Sequence, residues 1–268
     1  MRKFSKYLII IILFTLSMVN SIMAIDKYTV VKVLGSIIVK KTGTQLTQGD
    51  VILSNEPIVF KSADAKASVI SSQSGRFILS ANNSDNNSSS VKSSLLPPMS
   101  NISTRAGSIL NLNDLKINFT GNYLVLKQIE FPITKAVFPM NDSCFFYFTY
   151  KYNEESINKK LSHRGDTLLI IEKELFMVDG KSIHPAESTL VKSYYYMSKK
   201  PIYINEFNII TPNNDQIVKE VKMILDGSKN KSYNDIIDDV SSYLNEFYGK
   251  IEKNNVQLWL KDNFNLSK

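Results

Sequence analysis

Residues 201–227, PIYINEFNIITPNNDQIVKEVKMILDG, decide the fold class, because the chain changes its period within them. Pro201-Ile202-Tyr203-Ile204 reads as a strand. From Gln216 to Asp226 the apolar residues Ile217, Val221, Ile224 and Leu225 fall on one helical face. Asn213 or Asn214 supplies an N-cap oxygen ahead of them, and Gly227 a stop behind. Tyr233 to Tyr248 repeats the pattern with Ile236, Ile237, Val240, Leu244 and Phe247 before Gly249, and Asn254 to Phe264 adds a short helix holding Trp259. Residues 213–268 are therefore expected to be helical.

Upstream, residues 106–212 read as strands. Tyr123–Leu126, Cys144–Tyr150, Thr167–Ile171, Ser188–Val191 and Tyr194–Tyr196 carry the β-branched and aromatic residues that suit a pleated surface. Asp179-Gly180 is a hairpin turn signal. Strands followed by helices predict an α+β domain over 106–268, an antiparallel sheet with C-terminal helices covering one of its faces.

Residues 25–80 form a second unit. Six short apolar segments from Tyr28 to Leu79, separated by turns at Gly35, Gly43, Gly49 and Gly75, suggest a small β-barrel or sandwich. Three patterns stand out: Val33-x-Gly35-x-Ile37-x-Val39, then Gly43-x-x-Leu46-x-x-Gly49-Asp50-x-Ile52, then Ala65-x-Ala67-x-Val69 running to Gly75-x-x-Ile78-Leu79. Together they resemble the FecR-like β domains of bacterial envelope proteins, which are similar to SH3-like barrels. The resemblance covers about a fifth of the chain and implies a non-catalytic module that binds a ligand or partner. It carries over no binding residues. In physical terms, Leu46 is expected to plug the core while Gly49-Asp50 turns the chain into the next strand. Residues 81–105, rich in Ser and Asn and continuing through Leu96-Pro97-Pro98-Met99, read as a linker and domain boundary.

The first 24 residues have the order of a secretory signal. Arg2, Lys3 and Lys6 precede an apolar run from Leu8 to Val19, and Ala24 offers a small residue for cleavage. The run is about a dozen residues, short of the roughly 20 needed to span a bilayer. If left uncleaved, residues 8–25 could tether the chain to the inner membrane. The expected address is thus the periplasm or outside. Loss of the segment lowers the basic residues from 32 to 29 against 25 acidic, and the net charge from +7 to +4. The remaining lysines are scattered in pairs such as Lys40-Lys41, Lys159-Lys160 and Lys199-Lys200, with no basic stripe of the kind nucleic acid requires. With Cys144 as its only cysteine, an exported chain cannot be stapled internally and must rely on its apolar core.

Candidate chemistry is sparse. Cys144 with His163 or His184 is the one possible thiol dyad, in which an imidazole would lower the thiol pKa and take its proton. Cys144 precedes a run of aromatics in a strand, where cysteine behaves as a small hydrophobe. The histidines lack metal-ligand spacing, and no metal or cofactor is expected. Glu154-Glu155 and Asp238-Asp239 read as solvated charge rather than an acid–base pair. The aromatic blocks Phe145–Tyr150 and Tyr194–Tyr196 raise a carbohydrate platform. Strand alternation instead predicts half of the rings in the core and the other half against the helices.

The expected function is that of an exported, non-enzymatic envelope protein that binds a protein partner or envelope component through its two domains. A hydrolase with its site in 106–268 is the first alternative, using Cys144 with His163 or His184, or a carboxylate pair. A structural subunit of an envelope assembly is the second.

Overall fold

A computed structural model describes residues 25–81, 89–98, 109–229 and 231–266. The expected signal segment, 1–24, lies outside the described residues. The chain is α+β: N-terminal antiparallel sheets, a central mixed sheet, and three C-terminal helices.

The N-terminal strands are β1 (Lys27–Leu34), β2 (Ile37–Val39), β3 (Thr44–Gln45), β4 (Val51–Leu53), β5 (Pro57–Phe60), β6 (Lys66–Ser71), β7 (Gly75–Ser80), β8 (Ser89–Ser90) and β9 (Leu95–Leu96). They form two sheets, β4-β1-β6-β7-β9 and β3-β2-β5-β8. A shared core holds Val30, Ile37, Leu46, Ile58, Val69 and Leu79. Leu46 is buried as expected. The Asp50 carboxylate accepts hydrogen bonds from the Thr47 amide and hydroxyl at 2.7 and 3.0 Å, which closes the Gly49-Asp50 turn. Part of the expected linker belongs to this unit. Ser89–Ser90 pairs with β5, Leu95–Leu96 pairs with β7, and Val91 between them is fully buried. Short apolar anchors inside a polar stretch are enough to fold it back onto both sheets. The rest of that stretch, 82–88 and 99–108, lies outside the described residues.

The central unit begins with α1 (Leu112–Asn118), a helix that the strand-rich reading did not include, capped by the Asn111 side chain. Then follow β10 (Asn122–Leu124), β11 (Gln128–Pro132), β12 (Phe145–Tyr152), β13 (Glu155–Lys160), β14 (Ser162–Arg164), β15 (Thr167–Ile171), α2 (Glu172–Leu175), β16 (Met177–Val178), β17 (Lys181–Ser182), β18 (Ser188–Met197) and β19 (Lys200–Ile210). One sheet runs β10-β19-β18-β12-β13 and the other β11-β15-β14. The strand bends from β13 to β14 at buried Leu161, so the chain passes from one sheet to the other there. The first sheet is antiparallel except for its edge, where β10 runs parallel to β19. The expected Asp179-Gly180 turn joins β16 to β17. An aromatic core that includes Phe119, Phe131, Phe146, Phe148, Tyr195 and Phe207 fills the space between the sheets.

The last three helices are α3 (Asn214–Gly227), α4 (Tyr233–Phe247) and α5 (Lys253–Phe264). Asn213 caps α3, accepting from the amides of Asp215 and Gln216. Ser232 and Asp235 form a capping box on α4. The indole of Trp259 on α5 donates to Asn214, tying the last helix to the first at 3.0 Å.

These helices do not cover a face of the central sheet, which corrects the expectation. Their apolar faces meet Val31 and Ile70 of the N-terminal unit, together with Leu124, Leu126 and Ile210 at the edge of the central one. The reason lies in the chain path. After Ile210, Thr211-Pro212 cannot continue into a helix, and Asn213 restarts the chain in a new direction. One partly buried and one fully buried ion pair cross the same boundary. Lys32 on β1 lies 3.2 Å from Glu220 on α3, and Arg76 on β7 lies 2.5 Å from Glu246 on α4. The N-terminal unit is thus docked on the helices rather than merely tethered.

Candidate binding face

The helices leave the outer face of β12, β18 and β19 uncovered. Alternation sends Phe146, Phe148, Tyr150 and Tyr195 into the core and leaves Phe145, Tyr147, Tyr194 and Tyr196 on the outside. Register then sorts the outer rings into rows: Phe145 stands opposite Tyr196, and Tyr147 opposite Tyr194. A bulge adds the fifth ring. The β18–β19 register shifts by one residue between Ser193 and Tyr194, so Tyr194 faces Tyr203 and Ile204 turns into the core. Without that extra residue, Tyr203 would be on the core side. Tyr203 is 47% exposed.

Ring geometry decides what this face can hold. The Phe145–Tyr196 and Tyr147–Tyr194 centroids are 4.9 and 5.0 Å apart, with interplanar angles of 22° and 10°. Those separations match the strand spacing of about 4.8 Å. Near-parallel rings at that distance must stand upright, face to face, like pages. Flat-lying rings on neighbouring strands would meet edge to edge and further apart. One face of each ring is therefore spent on its neighbour, and the Lys160 ammonium sits 4.8 Å from the Phe145 ring centre. Solvent meets ring edges and tyrosine hydroxyls. Tyr194 and Tyr203 meet at 64° and 5.5 Å. Burial, then the neighbouring Tyr194 and Tyr196, push the Tyr147 hydroxyl pKa above its ordinary value; burial, then Glu206, do the same to Tyr203. Both hydroxyls stay neutral and can donate as well as accept.

At one end this face opens into a cleft of about 750 Å³. Pairing between β12 and β18 stops at Thr149↔Lys192, although β12 continues to Tyr152 and β18 starts at Ser188. Residues 149–153 and Ser156 line one side, residues 188–190 and Lys192 the other, and His184-Pro185-Ala186 a third. Lys151 and Lys192 bring positive charge, while hydroxyls come from Thr149, Ser156, Ser188 and Thr189.

The residues singled out in the sequence fall in several places. His184 lines the cleft. Cys144 immediately precedes β12, five residues or about 17 Å of extended chain from Thr149. It is partly buried beside the Tyr195 hydroxyl, which burial and then the thiol push up to about 12. His163 is exposed on β14, opposite Leu168. Among the described residues, no hydrogen bond joins Cys144 to either histidine. Glu154 and Asn153 make the β12–β13 turn with φ of 66° and 49°. Asp238 pairs with Lys253, and Asp239 with Lys231. Among the described residues no group of three or more His, Cys, Asp and Glu could hold a metal ion. A smaller cavity of about 410 Å³ lies between the β6–β7 turn and the end of α3. Sequence reasoning did not find Lys151, Lys192 or the place of Tyr203. Alternation along Phe145–Tyr150 pointed to the outer rings, but no local signal marks the bulge or the end of the ladder.

No family model and no curated protein sequence matches this chain. Among solved structures there is a likeness to the crystal structure of the N-terminal Ig1-2 module of Drosophila Receptor Protein Tyrosine Phosphatase DLAR. It has 12% identity, covers 66% of this chain and 84% of that one, and has a TM-score of 0.20, too low to carry any argument.

Proposed function

We propose that the chain is an exported, non-enzymatic envelope protein that holds a partner protein against the outer face of its central sheet. One observation carries this: upright tyrosine rows on a face that the described helices leave uncovered and that runs into an open cleft. Exposed tyrosines give large contact area at low conformational cost and offer a hydroxyl at the rim of each contact. Pyranose stacking would need ring faces lying open to solvent, and here the upright rings each spend one face on a neighbour and present their edges. That favours a protein partner over a glycan. The export part of the proposal rests on residues 1–24. The N-terminal β unit, with its FecR-like pattern, is read as a second binding module docked beside the first.

The test compares the tagged mature chain with a Tyr147→Ser/Tyr194→Ser variant for capture from the organism's own envelope, with proteins quantified by mass spectrometry. A protein retained by the parent and lost by an equally folded variant supports the proposal. Identical recovery by both, or hydrolysis of envelope peptides or glycans by the purified chain, overturns it.

A further inference from the structure

The fork between β12 and β18 has two properties that together name a ligand class. The first is geometric. Tyr150–Tyr152 stays paired to β13 on one side, through Tyr152↔Glu155, and Ser188–Val191 stays paired to β19, through Ser188↔Ile210. Their facing edges are not paired with each other. Two strand edges that diverge around a cleft can take up an extended chain by main-chain hydrogen bonding.

The second property is electrostatic. The charged side chains of the lining are those of Lys151 and Lys192, with His184 beside them; among the described residues no carboxylate side chain is part of it. Neither lysine is ion-paired among the described residues. Of the neighbouring acids, Glu187 acts on the Tyr248 hydroxyl, while Glu206 stands opposite Lys192 in the β18–β19 register, outside the cleft lining, and also acts on the Tyr203 hydroxyl. Lys192 is opposite Thr149, and Lys151 lies two residues further along the same strand. That offset is about 6.8 Å, the repeat between same-side residues of an extended chain.

We infer that the fork binds an extended acidic segment of a partner polypeptide, one with carboxylates two residues apart that meet Lys151 and Lys192, a proposal that rests on the outer face being a protein-binding surface. The segment's backbone lies along the free edges of β12 and β18, and the tyrosine rows continue the contact beyond it.

The probe is a fluorescein-labelled alternating Glu-Val octapeptide, titrated against the mature chain by anisotropy. Saturable binding that weakens with added salt is expected. Lys151→Glu/Lys192→Glu is expected to weaken it at least about ten-fold and to confer binding of a Lys-Val octapeptide. A Glu-Pro octapeptide, which lacks proline amides to donate, is expected to bind markedly less well. Both lysines are exposed, so circular dichroism and an unchanged unfolding midpoint verify the variant's fold. Equal binding of a Ser-Val octapeptide, no effect of charge reversal, absence of binding, or preference for a carboxylated oligosaccharide such as oligogalacturonate would each overturn the inference. Equal binding of the Glu-Pro peptide would overturn the edge-pairing component. The two proposals fail separately. An envelope partner lost by the tyrosine variant but kept by the lysine variant defeats only the acidic-segment inference, whereas a partner kept by both defeats the binding face itself.

Discussion

The guanidinium of Arg76 and the carboxylate of Glu246 meet at 2.5 Å although 170 residues separate them in the chain. Both side chains are buried, and Ser242 accepts a second bond from the same guanidinium at 2.8 Å. The pair joins the N-terminal sheet to α4, next to Tyr243, whose ring centre is 5.9 Å from the Arg76 guanidinium carbon. Its neighbour across the same boundary is the Lys32–Glu220 pair, in which Glu220 also accepts from the hydroxyls of Tyr243 and Tyr248. The docking of the two units therefore combines these ion pairs with apolar contacts of Val31 and Ile70.

Arg76→Met is expected to lower unfolding stability by about 3–5 kcal/mol, because it strands a buried carboxylate. Replacing both partners, Arg76→Met with Glu246→Leu, should cost much less, since no charge is then left unpaired. Guanidinium unfolding of the parent, the single and the double variant measures both. Equal losses in the single and double variants would show that packing, not charge pairing, holds the units together.

Stability should fall as pH rises above about 10. Burial pushes the Tyr150 and Tyr195 hydroxyls up to about 12, and those of Tyr123, Tyr243 and Tyr248 also upward. Glu220 adds to the effect on Tyr243 and Tyr248. The folded-state values lie above the unfolded ones, so these groups favour the fold fully below the unfolded value and lose that contribution as pH climbs towards the folded ones. Phenolate absorbance should therefore show a group of tyrosines that ionises only together with loss of circular dichroism. Smooth titration of every tyrosine in the folded state would contradict this.

Gly227→Ala should destabilise the docking of α3 on β6. A Cβ at that position would overlap the Ile70 Cδ1 and Cγ1 atoms. Ile70→Ala removes both atoms, so the double variant should be more stable than the sum of the two single losses predicts. Denaturation midpoints of the four proteins form the cycle, and simple additivity would rule out the clash.

Tyr147→Ser/Tyr194→Ser should keep the fold at a cost of about 1.5–4.5 kcal/mol, the worth of three aromatic pairs. The rings lie on the outer face, and the core residues Phe146, Phe148 and Tyr195 are untouched. Thermal unfolding followed by circular dichroism checks this. Collapse of the fold would mean that the tyrosine rows are needed chiefly for stability.

Much of the secondary structure was legible because its signals are local. The three helical stretches emerge as Asn214–Gly227, Tyr233–Phe247 and Lys253–Phe264, close to the expected bounds. Asn213 caps as its position suggested. The Gly75 hairpin and the division of Phe145–Tyr150 into core and outer rings follow from turn chemistry and a period of two. Less was legible where a few anchors override composition. Val91 and Leu95 draw part of a Ser- and Asn-rich stretch into the N-terminal sheets, and Asn111 starts a short helix amid strands.

By itself, then, the sequence determined most of the strands and the three C-terminal helices, and that they combine as α+β. Periodicity, caps and turns act over a few residues, and each can be read within its own window. The tertiary structure alone decided where the helices dock, how the bulge at Ser193/Tyr194 turns Tyr203 outward, and where β12 and β18 part to open the cleft. Those outcomes depend on contacts between residues far apart in the chain, such as Arg76 with Glu246 and Gly227 with Ile70. Shape and charge complementarity between distant surfaces set them, and no local pattern encodes that complementarity.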